Sequence, residues 1–291
     1  MKRAWLAWLA WLLCLPALAA VTVQDDAGKT VQLAQPAQRI VSLSPHATEL
    51  LYAIGAGGKL VGRDGASDYP QAATRLPAVG LYGAFNVESI VALRPDLVVA
   101  WEGPQAGQAT ARLRELGIVV YASQPARVSA IPAAMRDLGK LAGLAGQADL
   151  AAQQFESAWR SLEQRYAGSA ILRVVPQVGH EPAMTVNDQQ FVAAVFRACG
   201  TRNPFGTERA AVPLLSAESL LAMRPDAVVA LADRAAAEQW LGQWRKLPFK
   251  PAYLSVAPDT LGRPGPRLLA AATALCSRLD TLRRATPAKI D

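Results

Sequence analysis

Apolar and polar positions along this chain fall into short blocks, and one block is used twice. Glu88-Ser89-Ile90-Val91-Ala92-Leu93-Arg94-Pro95-Asp96-Leu97-Val98-Val99-Ala100 returns as Glu218-Ser219-Leu220-Leu221-Ala222-Met223-Arg224-Pro225-Asp226-Ala227-Val228-Val229-Ala230. A residue able to cap a helix, Asn86 or Ser216, precedes each copy, and the glutamate two positions on suits the positive helix end. A short apolar turn follows. Arg-Pro-Asp closes it, because proline disfavours helix in the residue before it. The β-branched runs 97–100 and 227–230 then read as strands buried on both faces of parallel sheets.

The rest of the pattern fits between these copies. Residues 21–33 alternate about Asp25-Asp26-Ala27-Gly28-Lys29, which predicts a hairpin. Residues 39–43 predict a buried strand that runs straight into Ser44-Pro45-His46, with serine as cap and proline at the first helical position. Such a strand-to-helix turn is where open α/β sheets hold ligands. Further strands are expected at 59–62, 118–121, 173–177 and 252–256, and helices at 108–116, 128–141, 190–199, 235–244 and 267–282. Residues 147–167 form the longest stretch of helical pattern without Gly or Pro, with Leu150, Phe155, Trp159, Leu162 and Tyr166 near helical spacing. It would span roughly 30 Å. The chain thus reads as two similar α/β lobes, 21–146 and 168–291, joined by one helix at 147–167. A rigid helix of that kind limits how far lobes can move, and a two-lobed chain binds in the gap between them.

Composition narrows the class. The 291 residues are 52% hydrophobic and 18% charged, enough for two packed lobes and unlike a disordered chain. Lys2 and Arg3, the apolar run 4–15 and Ala17-Leu18-Ala19-Ala20 read as a secretory signal peptide over 1–20, too short to span a bilayer. The formal charge of +7 is spread thinly, with no basic block interleaved with aromatics, so nucleic acid is not an expected partner. Cleavage would remove Cys14 and leave Cys199 and Cys276. In an exported protein these either pair or sit apart as buried thiols, and a bond closing so long a loop would contribute about 4–5 kcal/mol. No Cys/His cluster suits a metal.

Catalytic patterns are thin. The two histidines are His46 and His180, and no Gly-x-Ser-x-Gly elbow occurs. Ser44 beside His46 reads as a helix cap, although an exported hydrolase using that pair is the competing reading. Gly55-Ala56-Gly57-Gly58-Lys59 follows a helix and precedes a strand, the reverse of a phosphate loop. Binding is the expected task, with no catalytic residue and no catalytic cofactor.

Several stretches carry a resemblance: Ile40-Val41-Ser42-Leu43-Ser44-Pro45-His46-Ala47-Thr48-Glu49-Leu50, Ser67-Asp68-Tyr69-Pro70, Asn86-Val87-Glu88 and the two Arg-Pro-Asp turns. Together they resemble the periplasmic cobalamin-binding proteins of ABC importers. These belong to a wider group of class III binding proteins, with haem and siderophore receptors, in which two Rossmann-like lobes are joined by a single long backbone helix. The resemblance implies a monomeric carrier in the periplasm. It would hold a corrinoid between its lobes, with haem or a ferric siderophore as the alternative, and deliver it to an inner-membrane permease dimer with its ATPase subunits. It implies a ligand site at Ala66, Tyr82, Trp101, Asp259, Thr260, Leu261, Gly262 and Arg263. It also implies docking acids at Glu88 and Glu218 and a disulfide between Cys199 and Cys276. Ala66 stands where the family has a cleft tyrosine and Val212 where it has a tryptophan, so a thinner aromatic wall is expected. Under the haem alternative, Tyr82 or His46 would be the axial ligand.

Overall fold

The computed structural model describes residues 20–81, 83–103 and 106–285; the segment read as a signal peptide, Ala20 apart, lies outside them, as does Tyr82. A hairpin of β1 (Val21–Gln24) and β2 (Thr30–Leu33) leads into β3 (Ile40–Ser42), α1 (Pro45–Ala53) and β4 (Leu60–Arg63). The short pair β5 (Gly80–Leu81) and β6 (Ala84–Phe85) precedes α2 (Val87–Ala92) and β7 (Leu97–Ala100). Next come α3 (Gly107–Glu115), β8 (Val120–Ala122) and α4 (Ala130–Leu141). Strands β4-β3-β7-β8 form one parallel sheet.

After α5 (Ala145–Tyr166), the chain builds a second sheet. Its elements are β9 (Leu172–Gln177), the pair β10 (Gly179–His180) and β11 (Ala183–Met184), α6 (Phe191–Ala198) and β12 (Thr201–Arg202). They continue with α7 (Ala217–Met223), β13 (Ala227–Leu231), α8 (Arg234–Gly242), β14 (Ala252–Val256), the single turn α9 (Pro258–Leu261) and α10 (Leu268–Ala285). The order β12-β9-β13-β14 is again parallel throughout. In both sheets the strand that comes first in the chain, β3 or β9, lies between the second and the third. The chain therefore reverses direction across the sheet at the same place in each lobe, and that switch point opens a crevice beyond the strand ends.

The repeated block builds the same device twice. Asn86 Oδ1 accepts the Ser89 N–H at 2.6 Å, and Ser216 exchanges hydrogen bonds with Ser219 in a capping box. Arg94 and Arg224, the arginines before each proline, both adopt positive φ, 48° and 42°. The aspartates that follow reach the strand next door. Asp96 accepts the N–H groups of Gln38 and Arg39, and Asp226 accepts that of Arg173. Arg39 and Arg173 answer by donating to carbonyls at the ends of α2 and α7. Cations suit those helix ends, where the last carbonyls have no partner within the helix. Each Arg-Pro-Asp turn thus ties its helix to the sheet, and Glu88 and Glu218 are fixed at equivalent places.

The long helix α5 buries Ala148, Ala152, Phe155, Trp159, Leu162 and Tyr166, a stripe at spacings of three and four. Leu150 is 62% exposed, a departure from the sequence reading: alanines, not Leu150, occupy the stripe in the first turns. Alanine belongs there because α4 lies so close. A Cβ on Gly139 would come within 2.1 Å of the Ala148 Cβ. Arg136 of α4 holds Asp149 and Glu156 of α5 on the rim of that contact. The apolar layer beneath α5 is continuous, from the hairpin through α1, α4 and α5 to α6 and α10. Each sheet also has its own smaller core on the other face, around Ile90 and Val98 in the first lobe and Leu220 and Val228 in the second. Cys199 and Cys276 are joined in a disulfide that pins the end of α6 to α10.

Candidate functional site

The crevice of the first lobe opens into a cleft of about 400 Å³, which one loop of the second lobe closes from the other side. The first lobe lines it with Leu43, Ser44, Pro45 and His46, with Asp64, with Gly83 and Phe85, and with Trp101, Gly103 and Ala106; the second contributes Gly262, Arg263 and Pro264. Leu43 to His46 follow β3 and Trp101 follows β7, the two strands that flank the switch point. The floor is largely apolar and aromatic, with a few polar groups at its edge, which suits a broad flat ligand bearing hydrogen-bonding arms.

Trp101 is 43% exposed, so it is a wall of the cleft and not part of the core. The His46 ring meets it edge-on, centroids 5.2 Å apart. His46 Nε2 lies 3.0 Å from the Ser123 carbonyl and 3.1 Å from its hydroxyl, so this nitrogen carries the hydrogen toward the carbonyl. Burial lowers the imidazole pKa to about 4, and the Arg263 charge adds to that against the opposing Ser123 bond. His46 is therefore neutral at ordinary pH. Ser44 stands at the cap position of α1, yet its hydroxyl makes no cap bond; it is buried at the cleft and has no partner among the described residues. The serine and histidine do not pair, which removes the nucleophile–base arrangement.

The neutral imidazole makes stability depend on pH. The unfolded chain takes up a proton near 6.5 and the folded chain only near 4, so the unfolded state binds more protons between these values. Stability then falls as pH drops through that window. The loss is about 3 kcal/mol by order of magnitude. Denaturant unfolding at pH 7 and pH 4 is expected to show it, and His46→Gln should flatten the dependence. An equal slope in the variant would mean that other groups carry it.

The remaining sequence-derived site residues are distributed around the cleft. Gly262 and Arg263 line it. The Ala66 carbonyl lies 3.5 Å from Arg263 Nη2, on the seam between the lobes. Asp259 does not pair with Arg263; its partner is Arg267, at 3.3 Å. The Thr260 hydroxyl donates to the Ala257 carbonyl, and Thr260 faces a separate depression with Tyr69 and Arg267. Leu261 is wholly buried in the core and is not among the residues lining the cleft. Val212 is exposed and is not among the residues lining the cleft.

A network across the seam was missed from sequence. Glu49 of α1, with a side chain 1% exposed, accepts from Arg267 at 2.7 and 3.1 Å and from Arg263 at 3.4 Å. Arg263 also holds Asp68 at 2.7 Å, and the Arg267 guanidinium lies 4.5 Å above the Tyr69 ring. A Cβ on Gly265 would sit 3.1 Å from Glu49 Oε2, so the glycine lets the second lobe approach this carboxylate. The available signal was a lone carboxylate among the apolar residues of α1, since a buried charge requires a partner.

Comparison with known proteins agrees with this architecture. A model of the periplasmic binding protein family matches residues 40–241. A vitamin B12-binding protein of Yersinia pestis is 33% identical over 249 residues, 86% of this chain and 89% of that protein. Among solved structures, the periplasmic vitamin B12 binding protein BtuF of Vibrio cholerae superposes with a TM-score of 0.75 at 30% identity, over 86% of this chain and 99% of that one. A periplasmic heme binding protein of Pseudomonas aeruginosa reaches 0.69 at 28% identity, over 83% and 92%.

Proposed function

The chain belongs to the periplasmic binding protein family, and we propose that it captures cobalamin or a close corrinoid between its lobes and delivers it to an ABC importer. The aromatic wall of Trp101 facing Arg263 across the cleft carries this reading. The wall takes the flat ring, and the guanidinium takes carbonyl oxygens of the amide arms. Haem would require an axial ligand from the protein. His46 is poorly suited, since its Nε2 is held by Ser123. The same reading divides the chain into an exported leader, 1–20, lobes at 21–146 and 168–291, and the joining helix at 147–167. It places the mature monomer in the periplasm, with Glu88 and Glu218 meeting a permease dimer that carries its own ATPases.

Calorimetric titration of the purified chain with cyanocobalamin, haemin and a ferric siderophore tests the ligand. Saturable binding of the corrinoid alone is expected, weakened about tenfold or more in Trp101→Ala by loss of the stacked aromatic surface. Binding of haemin in preference to the corrinoid would overturn the assignment.

A further inference from the structure

The helices that carry Glu88 and Glu218 share a second feature. One turn along each, at the spacing that puts two side chains on one helix face, stands an exposed aliphatic residue. Val91 is 39% exposed and Leu221 is 40% exposed, while their neighbours Ile90 and Leu220 are fully buried. The other outward positions are small or polar, Ser89 and Ala92 in one lobe, Ser219 and Ala222 in the other. Scattered surface aliphatics are ordinary. Here, however, the same exposed side chain follows the same exposed acid at equivalent positions of two lobes. In the first lobe Val91 also forms part of an open groove with Val87 and Leu116, itself 48% exposed.

We infer that Val91 and Leu221 are the apolar half of a two-part docking surface, each paired with its acid, for a two-fold symmetric membrane permease. Each permease subunit would offer a cationic rim around a shallow apolar pocket. The inference rests on the docking reading above and deepens it. Charge selects this occupant: an acidic knob is repelled by anionic lipid headgroups, so the apolar residues do not serve insertion into a bilayer. Duplication selects the symmetry, because a surface repeated within one chain complements a partner that repeats. The division of labour follows from physics. The glutamates act at long range, set the on-rate and weaken with salt; the aliphatics act at contact, set the off-rate and are insensitive to salt.

The test uses the whole mature chain and the host's corrinoid importer, permease dimer with ATPases, in lipid nanodiscs. Association of wild type, Val91→Ser/Leu221→Ser and Glu88→Ala/Glu218→Ala is measured at low and high salt. Corrinoid affinity and the unfolding midpoint of each variant are recorded alongside. The serine pair is expected to bind about tenfold more weakly at both salts through faster dissociation. The alanine pair should lose affinity chiefly at low salt. Both should keep ligand affinity and stability. If the serine pair binds like wild type while the alanine pair is weakened, this inference falls and docking through the acids stands. If the alanine pair alone is unchanged, the acids lose their role and the aliphatics keep theirs. A wild-type chain that does not bind the importer overturns both.

Discussion

Glu49→Ala is expected to lower the unfolding free energy by about 3–5 kcal/mol, the range for removing one partner of a buried ion pair. The Glu49 carboxylate is almost fully enclosed and serves two guanidinium groups from the opposite lobe. Without it, Arg267 retains Asp259 and Arg263 retains Asp68. Both of those acids are more exposed than Glu49, so they compensate poorly. The cause is the charge left behind, not the strength of the lost bond. Replacing Glu49 and Arg267 together by methionine should therefore recover much of the loss. Guanidinium unfolding of the single and double variants checks this. A single variant within 0.5 kcal/mol of wild type would show the network to be decorative. Arg263 keeps its closer partner Asp68 and its place at the cleft, so corrinoid affinity is expected to hold while stability falls.

The second large effect concerns the disulfide. Cys199 and Cys276 are 77 positions apart and both fully buried. Removing the link releases a long loop in the unfolded chain, which by loop entropy costs about 4 kcal/mol. Cys199→Ala/Cys276→Ala should shift the urea midpoint down. The slope should steepen as well, since an uncrosslinked denatured chain exposes more surface. An unchanged slope with a lower midpoint would place the effect in the native state, as lost packing between α6 and α10. A double variant as stable as wild type would remove the bond from any account of stability.

The parts of this molecule that were legible in the sequence are those specified by local rules. The repeated Arg-Pro-Asp block gave the place of Glu88 and Glu218, since a cap, an apolar turn and a proline stop are decided within a dozen residues. The long helix was legible from unbroken spacing, although Leu150 misled because alanine can carry a stripe when a neighbouring helix is close. The strand-to-helix turn at Ser44 marked the cleft. What did not show was pairing at a distance. Asp259 and Arg263 lie four positions apart on one loop, which suggests a local pair. The fold sends Arg263 to Asp68 and leaves Asp259 to Arg267. Nothing in the spacing of Glu49, Asp68 and Arg267 announces that they meet, because the two lobes bring them together. The role of Ser44 as a cap was likewise a local expectation, and its hydroxyl instead stands at the cleft without a partner among the described residues.

The unbroken apolar layer under α5 has a consequence for traffic at the membrane. A spine that shares its packing with both halves resists the wide swing of a clamshell, so a loaded carrier and an empty one would show nearly the same outline. Under the proposed delivery, a transporter would meet both kinds and could not sort them by silhouette. It would then receive idle visits from empty carriers, and productive delivery would depend on how many carriers arrive full.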